Sequence, residues 1–181
     1  MARIPYPDSQ QTDDKAQAIL EKLPALNILR MLSHSSGVLE GVAVMGNALL
    51  ANGKLDPVLR EIAIIRTGVL KQSGYEVHQH ERIGRQLGMS EALLAAIHEG
   101  PNAAEFSPLQ QQVMRLTDDI VANSRASDVT FAPLASQLSP AQMVELVICV
   151  GFYTMVSNFL SSMDIEIEAA DQHPDLSLPK H

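Results

Sequence analysis

Glu76 and His80 are the residues of this sequence best placed to move a proton. They stand four apart, so on a helix over Tyr75 to Leu87 they fall on one side with Val77, Ile83, Gly84 and Leu87. His78, Glu81, Arg82 and Arg85 fall on the other side. A carboxylate and an imidazole set among aliphatic side chains lose hydration unless they pair or meet a ligand. Paired, the carboxylate fixes the imidazole tautomer and raises its basicity, which is the arrangement of an oriented general acid or base. The same residues also admit a structural explanation. Ser73-Gly74-Tyr75-Glu76 fits the S-x-x-E pattern of a capping box, in which Ser73 and Glu76 satisfy each other's amides. A single inward histidine, likewise, can be a hydrogen-bonded core residue.

Two helical patterns and the break between them must position the pair. Asp56-Pro57 reads as an N-cap followed by proline at the first helical position, where no amide hydrogen is needed. Val58, Leu59, Ile62, Ile65 and Val69 then form one face, and Ile64 and Leu70 cover much of the other, as in a buried helix. Gln72-Ser73-Gly74 is the turn. Arg60 and Glu61 interrupt the first pattern with charge. Counted as helical rise, Glu61 lies about 20 Å before Gly74 and His80 about 9 Å after it, so antiparallel packing predicts an axial offset of about 11 Å. A bridging water, a steep crossing or a substrate must close that distance; otherwise Glu61 pairs with an arginine.

Glu61, the run Ser73-Gly74-Tyr75-Glu76-Val77-His78-Gln79-His80, Ile83 to Gly88 and Ser90-Glu91 together resemble the carboxymuconolactone decarboxylase family, which includes the alkylhydroperoxidase D branch. Ala2 to Asp8 is similar to the start of longer members. In the peroxidase branch the motif is a glutamate, then Cys-x-x-Cys, then a histidine four residues on. Those positions hold Glu61, Ser73, Glu76 and His80 here, so both sulfurs are missing, and neither serine nor glutamate takes part in disulfide exchange. The decarboxylase branch carries a glutamate four before the histidine and a glycine six before it, matched by Glu76 and Gly74. Arg60 matches an arginine of that branch, whereas Tyr75 replaces an acidic residue. The resemblance implies an alkylhydroperoxidase D-like helical bundle that forms dimers, trimers or hexamers. It implies an enzyme that decarboxylates a small carboxylate-bearing lactone, with His80 carrying the proton and Glu76 orienting it. Glu61 is a further catalytic candidate; Arg60 would hold a substrate carboxylate, and Tyr75 and Ser73 would contribute hydroxyls. No cofactor is required. The competing readings are a peroxidase-like antioxidant protein restricted to Cys149, and a non-catalytic helical oligomer that binds a ligand.

Composition narrows the function classes. At 181 residues the chain is expected to be one domain, with an extended arm over 1–11 and a polar tail over 169–181. A hydrophobic content of 46% with only 4% aromatic residues suits packed helices built from Leu, Ile, Val, Ala and Met. A formal net charge of -8, with no run of Lys or Arg, argues against nucleic acid and anionic membranes as partners. The single cysteine, Cys149, excludes an intrachain disulfide or a Cys-x-x-Cys pair and reads as a small core residue. The start of the chain has no hydrophobic leader pattern and the apolar run Leu146 to Val156 is short for a bilayer, so a cytoplasmic location is expected.

No strand pattern appears, and the fold class is all-α. Helices are expected from Thr12 or Asp13 to about Leu23, over Asn27 to Ser33, from Val38 to about Leu50, and from the Ser90 cap through His98. The Ser107 capping box starts another, a short one covers Phe131 to Leu138, and the Ser139 cap opens the longest, ending near Ser162. Leu138-Ser139-Pro140 with Glu145 echoes Leu55-Asp56-Pro57 with Glu61, which fits either a degenerate two-unit repeat or a shared helix-start idiom. His34 reads as a surface or cap residue and His98 as a complement to its helix dipole. Asp164, Glu166 and Glu168 alternate with Ile165 and Ile167, as at an edge or subunit contact. His173 and His181 should be solvated.

Overall fold

The structure, a computed structural model, describes residues 1–8 and 11–169; Ser9 and Gln10 of the expected arm, and 170–181 of the expected tail with His173 and His181, lie outside the described residues. Among the described residues there are nine helices and no strand, as the sequence predicts. Contacts within the chain group it into two compact units, Gly53–Phe159 and the remainder of the chain.

The Gly53–Phe159 unit holds the candidate site. Its first helix, α4 (Pro57–Leu70), follows α1 (Asp14–Leu20), α2 (Asn27–Leu32) and α3 (Ser36–Leu50) in the chain. It starts where the sequence places it, because the Asp56 carboxylate accepts from the amides of Val58 at 2.9 Å and Leu59 at 3.0 Å. Ten consecutive residues of α4, Leu59 to Gly68, are buried. The helix ends at Leu70 because Gln72 turns left-handed at φ 55° and the Ser73 amide reaches back to the Gly68 carbonyl at 2.9 Å. The chain then reverses into α5 (Gly74–Gln86). Gly88, at φ 85°, closes α5: its amide bonds the Arg85 carbonyl, and the Met89 amide bonds Gly84, both at 3.0 Å.

Around this pair lie α6 (Glu91–Glu99), α7 (Pro108–Asn123), α8 (Asp128–Ala135) and α9 (Pro140–Met163), the last of which belongs to this unit as far as Phe159. Ile62, Ile65, Leu94, Ile97, Val113, Leu116, Leu134 and Leu146 form one continuous core. The Ser107 and Ser139 capping boxes both form, with Gln110 and Gln142 as reciprocal partners. Glu145 accepts from the amides of Lys54 and Leu55, each at 2.7 Å, and so ties the entry of α4 to α9. The two glutamates of the suspected repeat therefore do different work, since Glu61 faces α5. α9 extends well beyond the Leu146 to Val156 run and by length and composition alone could cross a bilayer; 44% of its most apolar window is buried.

In the other unit the acidic alternation after α9 is an intrachain contact. Glu166 accepts from the Ala2 amide at 2.9 Å and the Tyr6 hydroxyl at 3.0 Å, and Glu168 accepts from the Asn27 amide at 2.6 Å. Arg3 pairs with Asp164 at 2.9 Å. The period-two pattern marks an extended strip that holds the arm by hydrogen bonds. His34 lies on the surface with Nε2 at 2.9 Å from the Pro5 carbonyl.

α4 and α5 approach closely at Gly68, where an added Cβ would lie 3.0 Å from Val77 Cγ2 and 3.4 Å from both Glu76 Cβ and the Val77 amide nitrogen. Gly68→Ala gains about 1 kcal/mol of helix propensity but overpacks this crossing at a cost of about 2 kcal/mol. A net loss of about 1 kcal/mol is expected in urea unfolding; a variant more stable than the parent would refute the close crossing.

Candidate active site

Arg60 and Glu61 project from α4, and Glu76 and His80 from the facing side of α5. All four are buried, at 4%, 0%, 4% and 6% exposure, which makes their pairing obligatory. The Glu61 carboxylate accepts from Arg60 Nε at 3.0 Å through one oxygen and from His80 Nδ1 at 2.6 Å through the other. The second imidazole nitrogen, Nε2, faces Glu76 Oε1 at 3.2 Å. One imidazole thus bridges two carboxylates, and the ring edge-stacks with Tyr153 of α9 at a centroid separation of 4.8 Å.

The axial offset of about 11 Å between Glu61 and His80 is corrected by this geometry. Lys71 to Ser73 are not helical, so only the rise from Glu61 to Leu70, about 13 Å, stands against about 9 Å from Gly74 to His80. The remaining few ångströms are within side-chain reach. Glu61 meets both the histidine and an arginine, the two outcomes the sequence left as alternatives. The Ser73 capping box does not form: Ser73 occupies the N-cap position of α5 but makes no side-chain cap, and the Glu76 carboxylate turns to His80 instead. Tyr75 is buried one residue before Glu76, about 100° around the helix from it. Tyr153 is the residue the sequence did not single out. It reads there only as part of an apolar helix, and its hydroxyl among aliphatic neighbours is the one available signal.

Charge balance decides the protonation state. Two carboxylates and a guanidinium leave one buried negative charge that an imidazolium cancels. Burial alone pushes the His80 pKa down, but the charge of Glu61, the hydrogen bond to Glu61 and the contacts with Glu76 outweigh it and raise the pKa from 6.5 to about 9. At neutral pH the ring is a held proton donor. The Tyr153 phenol is pushed well up, by burial and then by Glu76, Cys149 and Glu61, with Arg60 opposing, so it stays protonated. Cys149, fully buried, has its thiol raised by burial first and then by Glu61, which suppresses thiolate. Among the described residues no group of three or more His, Cys, Asp or Glu could hold a metal ion. Away from the site, His98 Nε2 pairs with Glu81 at 2.8 Å.

An all-helical chain with a buried Glu–His–Glu bridge on two antiparallel helices is the class of protein that fold and site define. Residues 37–119, which include every residue of that bridge, match the model of the carboxymuconolactone decarboxylase family. Over that segment the chain is similar to the carboxymuconolactone decarboxylase family. A peroxidase-related protein with an alkylhydroperoxidase AhpD core from Ralstonia eutropha JMP134 is 19% identical and superposes with a TM-score of 0.80, covering 92% of each chain. A peroxidase-related protein from Silicibacter sp. TM1040 is 19% identical with a TM-score of 0.76, over 94% of this chain and 90% of that one. A debrominase in complex with 2,3,4-tribromopyrrole is 15% identical with a TM-score of 0.70, over 86% and 83%. At these identities the likeness is one of fold. No curated protein sequence matched the chain.

The raised pKa of His80 carries a signed stability consequence. Because the folded value exceeds the unfolded one, the stabilisation is complete below pH 6.5 and is lost as pH rises through about 9. It amounts to about 3 kcal/mol. Urea unfolding at pH 6.5 and 9.5 should show a loss of that order in the parent chain and none of it in His80→Gln. Equal pH dependence of the two would refute the buried imidazolium.

Proposed function

We propose that this chain is an acid–base enzyme of the decarboxylase type, acting on a small carboxylate- or lactone-type substrate without thiol redox chemistry. The observation that carries the reading is the bridge from Glu61 through His80 to Glu76, which holds a protonated imidazole at neutral pH. In such a reaction the substrate C–CO2⁻ bond breaks, carbon dioxide leaves, and the electron pair passes into a conjugated carbonyl as a dienolate. His80 gives its Nε2 proton to the dienolate carbon and becomes neutral, and solvent restores the proton. Glu61 holds the ring at Nδ1 and Glu76 directs the proton at Nε2. Arg60 balances Glu61 and offers the nearest positive charge to a substrate carboxylate. A role for Tyr75 as a second hydroxyl remains part of this reading. The same reading expects a homo-oligomer, whose contact would cover Val144, Ile148 and Met155, exposed along α9.

Peroxide reduction is the weaker reading. It needs an attacking thiolate and a resolving thiol, and the one cysteine of the sequence is fully buried with its thiol pushed up. A non-catalytic ligand-binding oligomer is the other alternative.

His80→Asn is expected to lower decarboxylation of a γ-carboxylated unsaturated lactone by about 100-fold or more, with the oligomer unchanged by light scattering. Turnover that survives in His80→Asn would overturn the assignment. Parent turnover should fall as pH rises through about 9, where the donor proton is lost, and Cys149→Ser should match the parent.

A further inference from the structure

The network that holds the proton has little left with which to hold a substrate oxygen. Both imidazole nitrogens face carboxylates, and the guanidinium Nε is taken by Glu61. A dienolate builds negative charge on its carbonyl oxygen as carbon dioxide leaves, and that charge needs preorganised donors. The donors must come from other side chains.

Two buried hydroxyls fit that need. Ser157, fully buried on α9, and Ser73, 3% exposed at the start of α5, have no hydrogen-bond partner among the described residues. Buried helical hydroxyls elsewhere in this chain satisfy themselves on the carbonyl four residues back, as Thr117 does with Val113 at 2.9 Å and Thr67 with Ala63 at 2.8 Å. Ser157 and Ser73 do not, and an unpaired buried hydroxyl destabilises a fold unless something else uses it.

Their placement follows the network. Cys149, Tyr153 and Ser157 stand four apart on one face of α9, and all three are buried. Tyr153 meets the His80 ring edge-on at 4.8 Å, so this face of α9 borders the network. Ser157 stands one turn, about 6 Å, beyond Tyr153 on that face, and Ser73 stands one turn before Glu76 at the start of α5. Three uncharged hydroxyls therefore stand on α5 and α9, the helices that supply Glu76 and Tyr153 to the His80 ring. The Glu76 carboxylate repels a second carboxylate, whereas neutral hydroxyls near it can donate to a carbonyl.

We propose that Tyr153, Ser157 and Ser73 form an oxygen-binding end of the site that donates hydrogen bonds to a lactone or ester carbonyl while His80 delivers the proton. This rests on the acid–base reading above and adds to it the part of the substrate that sits at the Glu76 end. The carbonyl enters over Tyr153, whose ring already packs on His80, so the dienolate carbon is presented to Nε2.

The test uses the neutral unsaturated lactone 2(5H)-furanone, labelled with carbon-13 at its carbonyl, and the full chain. Isotope-edited infrared difference spectra read the hydrogen bonds at that oxygen, and titration calorimetry reads affinity. The expected result is a carbonyl stretch lowered on binding to the parent. In Tyr153→Phe and Ser157→Ala it should return toward the free value, with binding weakened about 3- to 10-fold each. Ser157→Ala should also melt no lower than the parent, because it removes an unpaired buried hydroxyl. Identical stretches and affinities in parent and both variants would overturn the proposal, as would no binding of the lactone by the parent. His80→Asn separates the two claims. If the variant loses turnover but keeps the lowered stretch, both stand. If it keeps turnover, the proton-transfer reading fails alone. If the hydroxyl variants change nothing while turnover still requires His80, the oxygen site fails alone.

Discussion

The structure around α4 and α5 depends on one buried charge balance. Glu61 and Glu76 bracket the His80 ring, Arg60 closes the row, and the sum is zero only when the imidazole carries its proton. Four charged groups removed from water are tolerable because each meets an opposite charge at hydrogen-bonding distance. Packing of the two helices follows from the same need. The close crossing at Gly68 brings α5 near enough for a side chain from each helix to share one proton. The three-residue reach of Lys71, Gln72 and Ser73, with its left-handed step at Gln72, fixes the register.

The scaffold was legible because its start signals act locally. Asp56-Pro57, Ser90, Ser107 and Ser139 each cap a helix as the sequence predicts, since an amide three residues away needs no knowledge of the fold. The Glu76–His80 pair was legible for the same reason: both partners sit on one helix. Contacts between elements were harder. The Ser73 signal failed because a histidine on the same helix outbid the serine amide for Glu76. The Glu61 contact was misjudged because the turn was counted as helix. Tyr153 was invisible because only the packing of α9 brings it to His80, and alternating acidic residues after α9 could not reveal that the first residues of the chain were their partners.

Peroxidase-related proteins share this fold, and the proton-holding network here contains no sulfur. Ser73 and Glu76 stand where the peroxidase branch resembled by the sequence keeps two cysteines, and the histidine stays in place. Glu76 adds a second carboxylate to the ring, and the imidazole holds its proton between the two. Backbone geometry fixes where the groups stand, and side-chain identity fixes what they exchange.

Cys149, sealed among α9 packing partners with its thiol kept protonated, has a practical meaning. Alkylating reagents should pass over the native molecule and label it only when the interior comes apart, one adduct per chain. That makes the lone sulfur an internal clock for opening, read by mass spectrometry, that leaves the proton-carrying groups untouched.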